Sequence, residues 1–175
     1  MAERPIIRDA KPTDIPAITA IYAVHVREGL GSFELQPPSE EDMAQRLAAI
    51  QEAGLPYLVA ELDERIAGYT YAACCRPRPA YHYTVENSVY VAPWAQRKGV
   101  GRTLLDALMR RCEAMGKRQM VAVIGDTDNV ASIALHTSAG FRHIGILQGV
   151  GFKHNRWVDS VIMQRTLGPG TSILP

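Results

Sequence analysis

Gln96-Arg97-Lys98-Gly99-Val100-Gly101-Arg102 stands between a strand-like Ser88-Val89-Tyr90-Val91 and the first apolar positions of an amphipathic helix opening near Val100. A turn of this composition suits an anion. Glycine lacks a Cβ, so its backbone N–H can approach a phosphate oxygen closely. The helix N-terminus adds partial positive charge, and Arg97, Lys98 and Arg102 add full charges. The same residues are also compatible with a basic turn that only faces water. Two familiar phosphate motifs are excluded by the letters. The chain continues Arg102-Thr103-Leu104, with no third glycine for a dinucleotide turn, and no G-x-x-x-x-G-K-[ST] occurs. The turn therefore proposes a pyrophosphate belonging to neither NAD nor ATP.

Downstream of the turn, Val100, Leu104, Leu105, Leu108, Cys112 and Met115 keep a helical spacing that Gly116 ends. Met120 to Ile124 is a continuous apolar run, the pattern of a strand covered on both faces, and Asn129 to Ser138 is a shorter helix closed by Gly140. Strands resume at Phe141, the last running from Trp157 to Gln164. Upstream, Pro5 to Arg8 reads as a strand. Pro12-Thr13-Asp14 then starts a helix carrying Ile15, Ile18, Ile21, Tyr22 and Val26, and Ser39-Glu40-Glu41-Asp42 starts a second through Met43, Leu47 and Ile50. Tyr57–Glu61 and Ile66–Cys75 read as a hairpin, followed by a loop at residues 76–80 and a strand from Thr84 to Val91.

The 175 residues are 47% hydrophobic, enough for one substantial core, and nothing linker-like divides them. A single domain is expected over residues 1–167, with a loose tail at 168–175. Nineteen basic against eighteen acidic residues leave a net charge of +1, which gives no general electrostatic case for nucleic acid or an anionic membrane. No apolar run approaches the roughly 20 residues of a membrane span, and no secretory leader is visible, so a soluble cytoplasmic protein is expected. Three cysteines, two of them adjacent at Cys74 and Cys75, make a poor disulfide framework. Neither C-x-x-C nor H-E-x-x-H occurs, so reduced thiols and no metal are expected.

The order strand, two helices, three strands, basic turn, helix, strand, helix, two strands resembles the GNAT superfamily of acyl-CoA-dependent N-acetyltransferases. Its pyrophosphate turn, Q/R-x-x-G-x-G/A, is matched from Gln96 to Gly101. Its later N-x-x-x-x-x-L-Y-x-x-x-G-F is matched from Asn129 through Leu135, Gly140 and Phe141, with His136 in place of the tyrosine. Thr84-Val85-Glu86, Val121 to Gly125, Leu135-His136 and Gly151-Phe152-Lys153-His154-Asn155-Arg156-Trp157 look like the phosphinothricin and methionine-sulfoximine acetyltransferases within that superfamily.

The resemblance implies an α/β (α+β) fold with a mixed sheet of about six or seven strands flanked by about four helices. It implies acetyl-CoA as acetyl donor, a small amino-acid-like amine as acceptor and a homodimer. The pyrophosphate would lie on Arg97, Lys98, Gly99, Val100, Gly101 and Arg102. The pantetheine would pair with the backbone of Val89, Tyr90 and Val91, and Asn129 and Ser138 would complete the cofactor site. Other amines, such as a protein N-terminus or lysine, and a catalytically silent acyl-CoA sensor remain alternatives.

Acetyl transfer to an amine needs a base, because an α-amino group is largely protonated at neutral pH. Glu86, at the start of the cofactor strand, matches the family's acidic residue; read by itself it is a strand glutamate facing solvent. His136 titrates in the right range to exchange a proton, or is a packing residue of a short helix. Asn129 either caps its helix or meets the cofactor. Arg76 and Arg78, flanking Pro77, are able to hold a carboxylate in bidentate fashion, or form a solvated loop. Glu86, Asn87 and Ser88 offer polar atoms to the substrate, and Tyr81, His82 and Tyr83 are candidates to line its pocket. Cys74 and Cys75 have no clear histidine partner, so direct transfer is expected rather than an acetyl-enzyme. Phe152 to Trp157 forms either a pocket wall or a dimer contact.

Overall fold

The computed structural model describes residues 4–175. Strand β1 (Ile6–Asp9) leads into helices α1 (Ile15–Glu28) and α2 (Glu40–Glu52), then strands β2 (Tyr57–Leu62), β3 (Arg65–Cys74) and β4 (Thr84–Val91). The basic turn follows, then α3 (Val100–Ala114), β5 (Gln119–Gly125), α4 (Val130–Ser138), β6 (Arg142–Lys153) and β7 (Arg156–Thr166). The seven strands make one sheet in the order β1-β2-β3-β4-β5-β7-β6. Every neighbouring pair is antiparallel except β4 and β5. The expected element order and mixed sheet are thus present.

Local chemistry sets the helix starts. The Ser39 hydroxyl accepts from the Asp42 N–H at 3.1 Å while the Asp42 carboxylate accepts from the Ser39 N–H at 3.0 Å, the reciprocal cap expected from Ser39-Glu40-Glu41-Asp42. Ahead of α1, the Asp14 carboxylate takes the Lys11 N–H at 2.8 Å and a guanidinium N–H of Arg8 at 2.7 Å. The Arg8 hydrogen bonds hold the Asp14 carboxyl below the usual carboxylate range.

Strand alternation divides the core between two faces. Tyr57, Tyr69, Tyr71 and Tyr90 stack on one another beneath α1, where Tyr22 meets the Tyr90 ring edge-on at 4.9 Å. On the opposite face Leu58, Ala72, Val85, Met120 and Ala122 pack with Leu105, Leu108 and Met109 of α3. Position 86 shares the parity of Tyr90, and position 87 that of Val85, so Glu86 lies toward α1–α2 and Asn87 toward α3–α4.

Three expectations change. Met115 is at the helix end and exposed, because α3 stops at Ala114 before its side chain can face the sheet. The apolar run of β5 is not covered on both faces: Val123 is 42% exposed, since β5 borders an open cleft. Residues 168–172 form turns, with the Gly170 N–H bonded to the Leu167 carbonyl and the Gly168 N–H to Glu113. No helix among the described residues is long and apolar enough to cross a membrane.

Candidate active site

The cleft of about 780 Å³ opens where the two parallel strands part. Pairing of β4 with β5 runs from Thr84↔Gln119 to Asn87↔Ala122 and stops, while β3 continues to pair β4 as far as Gly68↔Val91. Residues 88–91 are therefore held rigidly on one edge and open on the other. The Ala92 N–H donates to the Ala67 carbonyl at 2.8 Å. Because bonded and outward-facing residues alternate in an antiparallel ladder, Ser88 and Tyr90 turn their backbone groups to β3, and Val89 and Val91 turn theirs to the cleft. Tyr90 is thus corrected from the expected backbone set: its N–H and carbonyl are committed to the sheet, and its ring packs under α1. The Val91 carbonyl already accepts from His25 Nε2 of α1 at 2.9 Å, so the imidazole carries its proton there. Val89 retains both groups for a ligand.

The turn between β4 and α3 closes one end of the cleft. Arg97 and Gly99 are left-handed at φ 60° and 80°, which folds the chain tightly ahead of the first helical N–H groups. Gly99 suits such a backbone at no steric cost, whereas Arg97 holds it with a Cβ present. Gln96, Arg97, Gly99, Val100, Gly101 and Arg102 all border the cleft. A Cβ on Gly101 would come within 3.3 Å of Leu135 and 3.4 Å of Val91, so the glycine keeps the cleft open between α3 and α4.

Two expected cationic contacts are occupied elsewhere. The Lys98 ammonium sits 5.4 Å from the centroid of the Trp94 ring, which Arg65 also covers at 4.3 Å, and Lys98 does not line the cleft. The Arg102 guanidinium bonds Asp106 and the Ser138 carbonyl, both at 2.8 Å, tying α3 to the end of α4. Ser138 itself donates to the Leu135 carbonyl and stands outside the cleft. Asn129 does border it, and its side-chain oxygen accepts from Ser132 N–H, so it caps α4 where it meets the cavity.

Glu86 stands one register pair before the strands part. It is half-buried, and desolvation pushes its carboxyl above the ordinary value, against an opposing pull from the nearby Arg76 guanidinium. Ser88, on the same face, borders the cleft, whereas Glu86 lies just outside its lining. Arg76, Pro77 and Arg78 are exposed beyond the end of β3 and do not line the cleft; of the three, only Arg76 acts on Glu86. Tyr81, His82 and Tyr83 also lie outside the lining, with His82 and Tyr83 packed edge to face at 5.0 Å. Cys74 donates to the Arg76 carbonyl, and burial raises the Cys75 thiol, so neither is an activated nucleophile.

His136 is 4% exposed and bridges the two elements that flank the opening. Its Nδ1 lies 2.8 Å from the Ser132 carbonyl and its Nε2 lies 3.0 Å from the Asn87 side-chain oxygen. Asn87 is held in that orientation because its amide donates to the Val121 carbonyl at 3.1 Å. A neutral ring has one N–H for these two acceptors, the charged ring has two, and burial pushes the pKa down against the charged form. Proton exchange with a ligand requires one of these bonds to open.

Of the far wall, sequence reading offered only the segment Phe152 to Trp157, from which Arg156 borders the cleft; the rest was missed. His25, Glu28, Gly29, Leu30 and Gly31 border the cleft at the end of α1 and the start of the loop at residues 29–38, together with Val123, Asp126, Asp128 and Arg156. Leu30 and Phe33 press on Gly125, Phe33 also lies on Gly151, and the buried Lys153 ammonium donates to the Ser32 carbonyl at 2.7 Å. Gly29 and Gly31 together with the small Gly125 and Gly151 were the available signal, but their meeting is a tertiary event. Arg156 pairs with Asp126, which closes this wall. No group of three His, Cys, Asp or Glu among the described residues is placed to hold a metal.

A parted parallel strand pair, a free backbone edge and a basic helix-start turn define an acyltransferase that works on a phosphate-bearing donor. Residues 7–162 match the family described as "Acetyltransferase (GNAT) domain", and the chain belongs to it. It is 53% identical over 169 residues to a phosphinothricin N-acetyltransferase of Alcaligenes faecalis, covering 97% of this chain and 86% of that protein. A Pseudomonas paraeruginosa L-methionine sulfoximine/L-methionine sulfone acetyltransferase is 39% identical over 170 residues, covering 95% and 96%. The structure of a phosphinothricin acetyltransferase from Sinorhizobium meliloti in complex with AcCoA superposes with a TM-score of 0.95 at 44% identity, covering 99% of this chain and 94% of that one.

Proposed function

We propose that this acetyltransferase moves an acetyl group directly from acetyl-CoA to the α-amino group of a small amino acid or toxic analogue, of the kind represented by phosphinothricin, methionine sulfoximine and methionine sulfone. The observation that carries the reading is the position of Glu86: a half-buried carboxyl of raised pKa immediately before the point where β4 bares its edge. The names of the relatives supply the acceptor class.

In this reading the turn at residues 96–101 takes the pyrophosphate, chiefly through backbone N–H groups and Arg97, and the pantetheine amides pair with the Val89 carbonyl and the Val91 N–H. Glu86, as carboxylate, removes a proton from the ammonium directly or through one water. The freed amine attacks the thioester carbonyl, and the oxygen that gains charge is met by a backbone N–H of the cleft edge, for which Val89 is the available donor. The carbon–sulfur bond then breaks, and the thiolate recovers a proton from the amine that has just become an amide. Arg76 attracts the acceptor's carboxylate toward Glu86. His136 and Asn87 fix α4 against β4, and once its bond to Asn87 opens His136 relays that same proton from the nascent amide to the thiolate.

The test is turnover with acetyl-CoA across phosphinothricin, methionine sulfoximine, methionine sulfone and a peptide N-terminus. Acetylation of at least one free amino acid, with the peptide untouched, is expected; acetylation of the peptide alone, or cofactor binding without turnover, would discard the reading.

A homodimer belongs to the same proposal. Strand β6 is one of the two sheet edges, and Ile144, Val150, Phe152 and Trp157 leave large apolar surfaces exposed on the β6–β7 hairpin, up to 70% at Trp157. A second copy would cover this patch. Sedimentation should give twice the chain mass of 19.2 kDa, falling to a single chain in Trp157→Glu; a monomer at all concentrations would refute it.

A further inference from the structure

The cleft ends blind where its two parallel strands come together. Asn87↔Ala122 is the last β4–β5 pair before they part, and the side chain of Asn87, 5% exposed, stands at that closed end. It is fixed on two sides: its amide donates to the Val121 carbonyl at 3.1 Å, and its oxygen lies 3.0 Å from His136 Nε2. His136 also borders the cleft, and it is braced in turn by the Ser132 carbonyl, 2.8 Å from Nδ1, and by Phe141, whose ring it meets edge to face at 5.0 Å. Neither side chain can move aside without breaking a buried hydrogen bond.

An acyl group whose carbonyl oxygen meets the Val89 N–H stands two residues from Asn87, about 6.6 Å along a strand. A carbon–carbon bond of about 1.5 Å and an ordinary contact of about 3.5–4.0 Å fill most of that distance. One methyl group fits, and two further carbons do not. Paired strands about 4.8 Å apart leave no passage between them. Glu86 and Ser88 lie toward α1–α2, the side from which the amine attacks, so a longer acyl chain has only the opposite face, and Asn87 and His136 occupy it.

We propose that Asn87, braced by His136, sets the length of the donor's acyl group, admitting acetyl and refusing butyryl. The assignment rests on the placement of the thioester oxygen at the Val89 N–H under the proposed function. Its test compares acetyl-CoA with butyryl-CoA in two ways: by calorimetry with no acceptor present, and by kcat/KM with an amine that is turned over.

The parent enzyme should favour acetyl-CoA by both measures. In Asn87→Ala the kcat/KM preference should move toward butyryl-CoA by about tenfold or more, the discrimination attached to a single methylene in an apolar pocket, and the ratio of Kd values should move the same way. Asn87→Ser opens the same space, leaves a hydroxyl for the groups behind it, and should follow the alanine variant. Asn87→Leu fills the space without the hydrogen bonds, so its preference should stay parental whatever its rate. That comparison separates occupied volume from the loss of the His136 contact. If no amine is acetylated, the acceptor reading falls while the calorimetric ratios still decide this one. The proposal is overturned if the parent enzyme takes both donors equally well, if the preference is unchanged in Asn87→Ala and Asn87→Ser, or if Asn87→Leu shifts it as far as they do.

Discussion

Glu86→Gln is expected to lower kcat by about 10²–10⁴-fold while leaving the affinity for coenzyme A nearly unchanged, the loss associated with removing a positioned general base. The amide keeps the shape of the side chain and cannot accept the ammonium proton. The pH profile makes the assignment specific. Desolvation raises the Glu86 pKa above that of an ordinary glutamate, and in the proposed mechanism only the carboxylate is active. The rate of the parent enzyme should therefore fall as pH drops through that raised value, and the limb should vanish in Glu86→Gln. Arg76 opposes the shift, so Arg76→Ala should move the limb to higher pH. As a control, Arg97→Ala should raise KM for acetyl-CoA about tenfold with little change in kcat, in keeping with loss of a charge-assisted phosphate contact. An unchanged rate in Glu86→Gln would remove the carboxylate from the mechanism.

Gly125→Ala should damage both stability and acceptor binding. A Cβ at this last residue of β5 would overlap the Leu30 carbonyl oxygen, lie 3.0 Å from its carbon and lie 3.1 Å from the Phe33 ring. Backbone is in the way, so the loop at residues 29–38 must lift. Overpacking of this kind costs about 1–3 kcal/mol, or roughly 2–12 °C in Tm for a chain of this size. The lifted loop would also draw Ser32 from Lys153 and open the wall formed by Gly29, Leu30 and Gly31. KM for the amine should rise more than KM for acetyl-CoA, because the turn at residues 96–101 sits on another element. A variant with parental Tm and both KM values unchanged would show that the loop does not depend on the end of β5.

The turn and its helix were legible because their signals are local. Glycine at 99 and 101, basic neighbours and the spacing of Leu104, Leu105 and Leu108 are read within one stretch of chain, and those leucines are fully buried. The capping box at Ser39 is legible for the same reason. Glu86 was singled out by its place on β4 and its match to the family's acidic residue, whereas the partial burial that raises its pKa is supplied by the tertiary structure. Lys98, Arg102 and Ser138 show the limit: charge and position suggested a ligand, whereas the structure shows their side chains also engaged by Trp94, Asp106 and Leu135, each close in sequence, with Arg102 alone of the three bordering the cleft.

Residue types and their periodicities determined the helices, the strands and a backbone turn able to meet a pyrophosphate, since these follow from side-chain size, charge and hydrogen bonding over a few residues. Tertiary structure alone decided which edge of β4 is free. That depends on β5 ceasing to pair after Ala122, on alternation aiming Val89 and Val91 outward, and on His25 taking one of those carbonyls from 66 residues away. It likewise brought Leu30 and Phe33 onto Gly125 to build the far wall. Such contacts join positions distant in the chain, and their energies come from the closeness of surfaces that no single stretch contains.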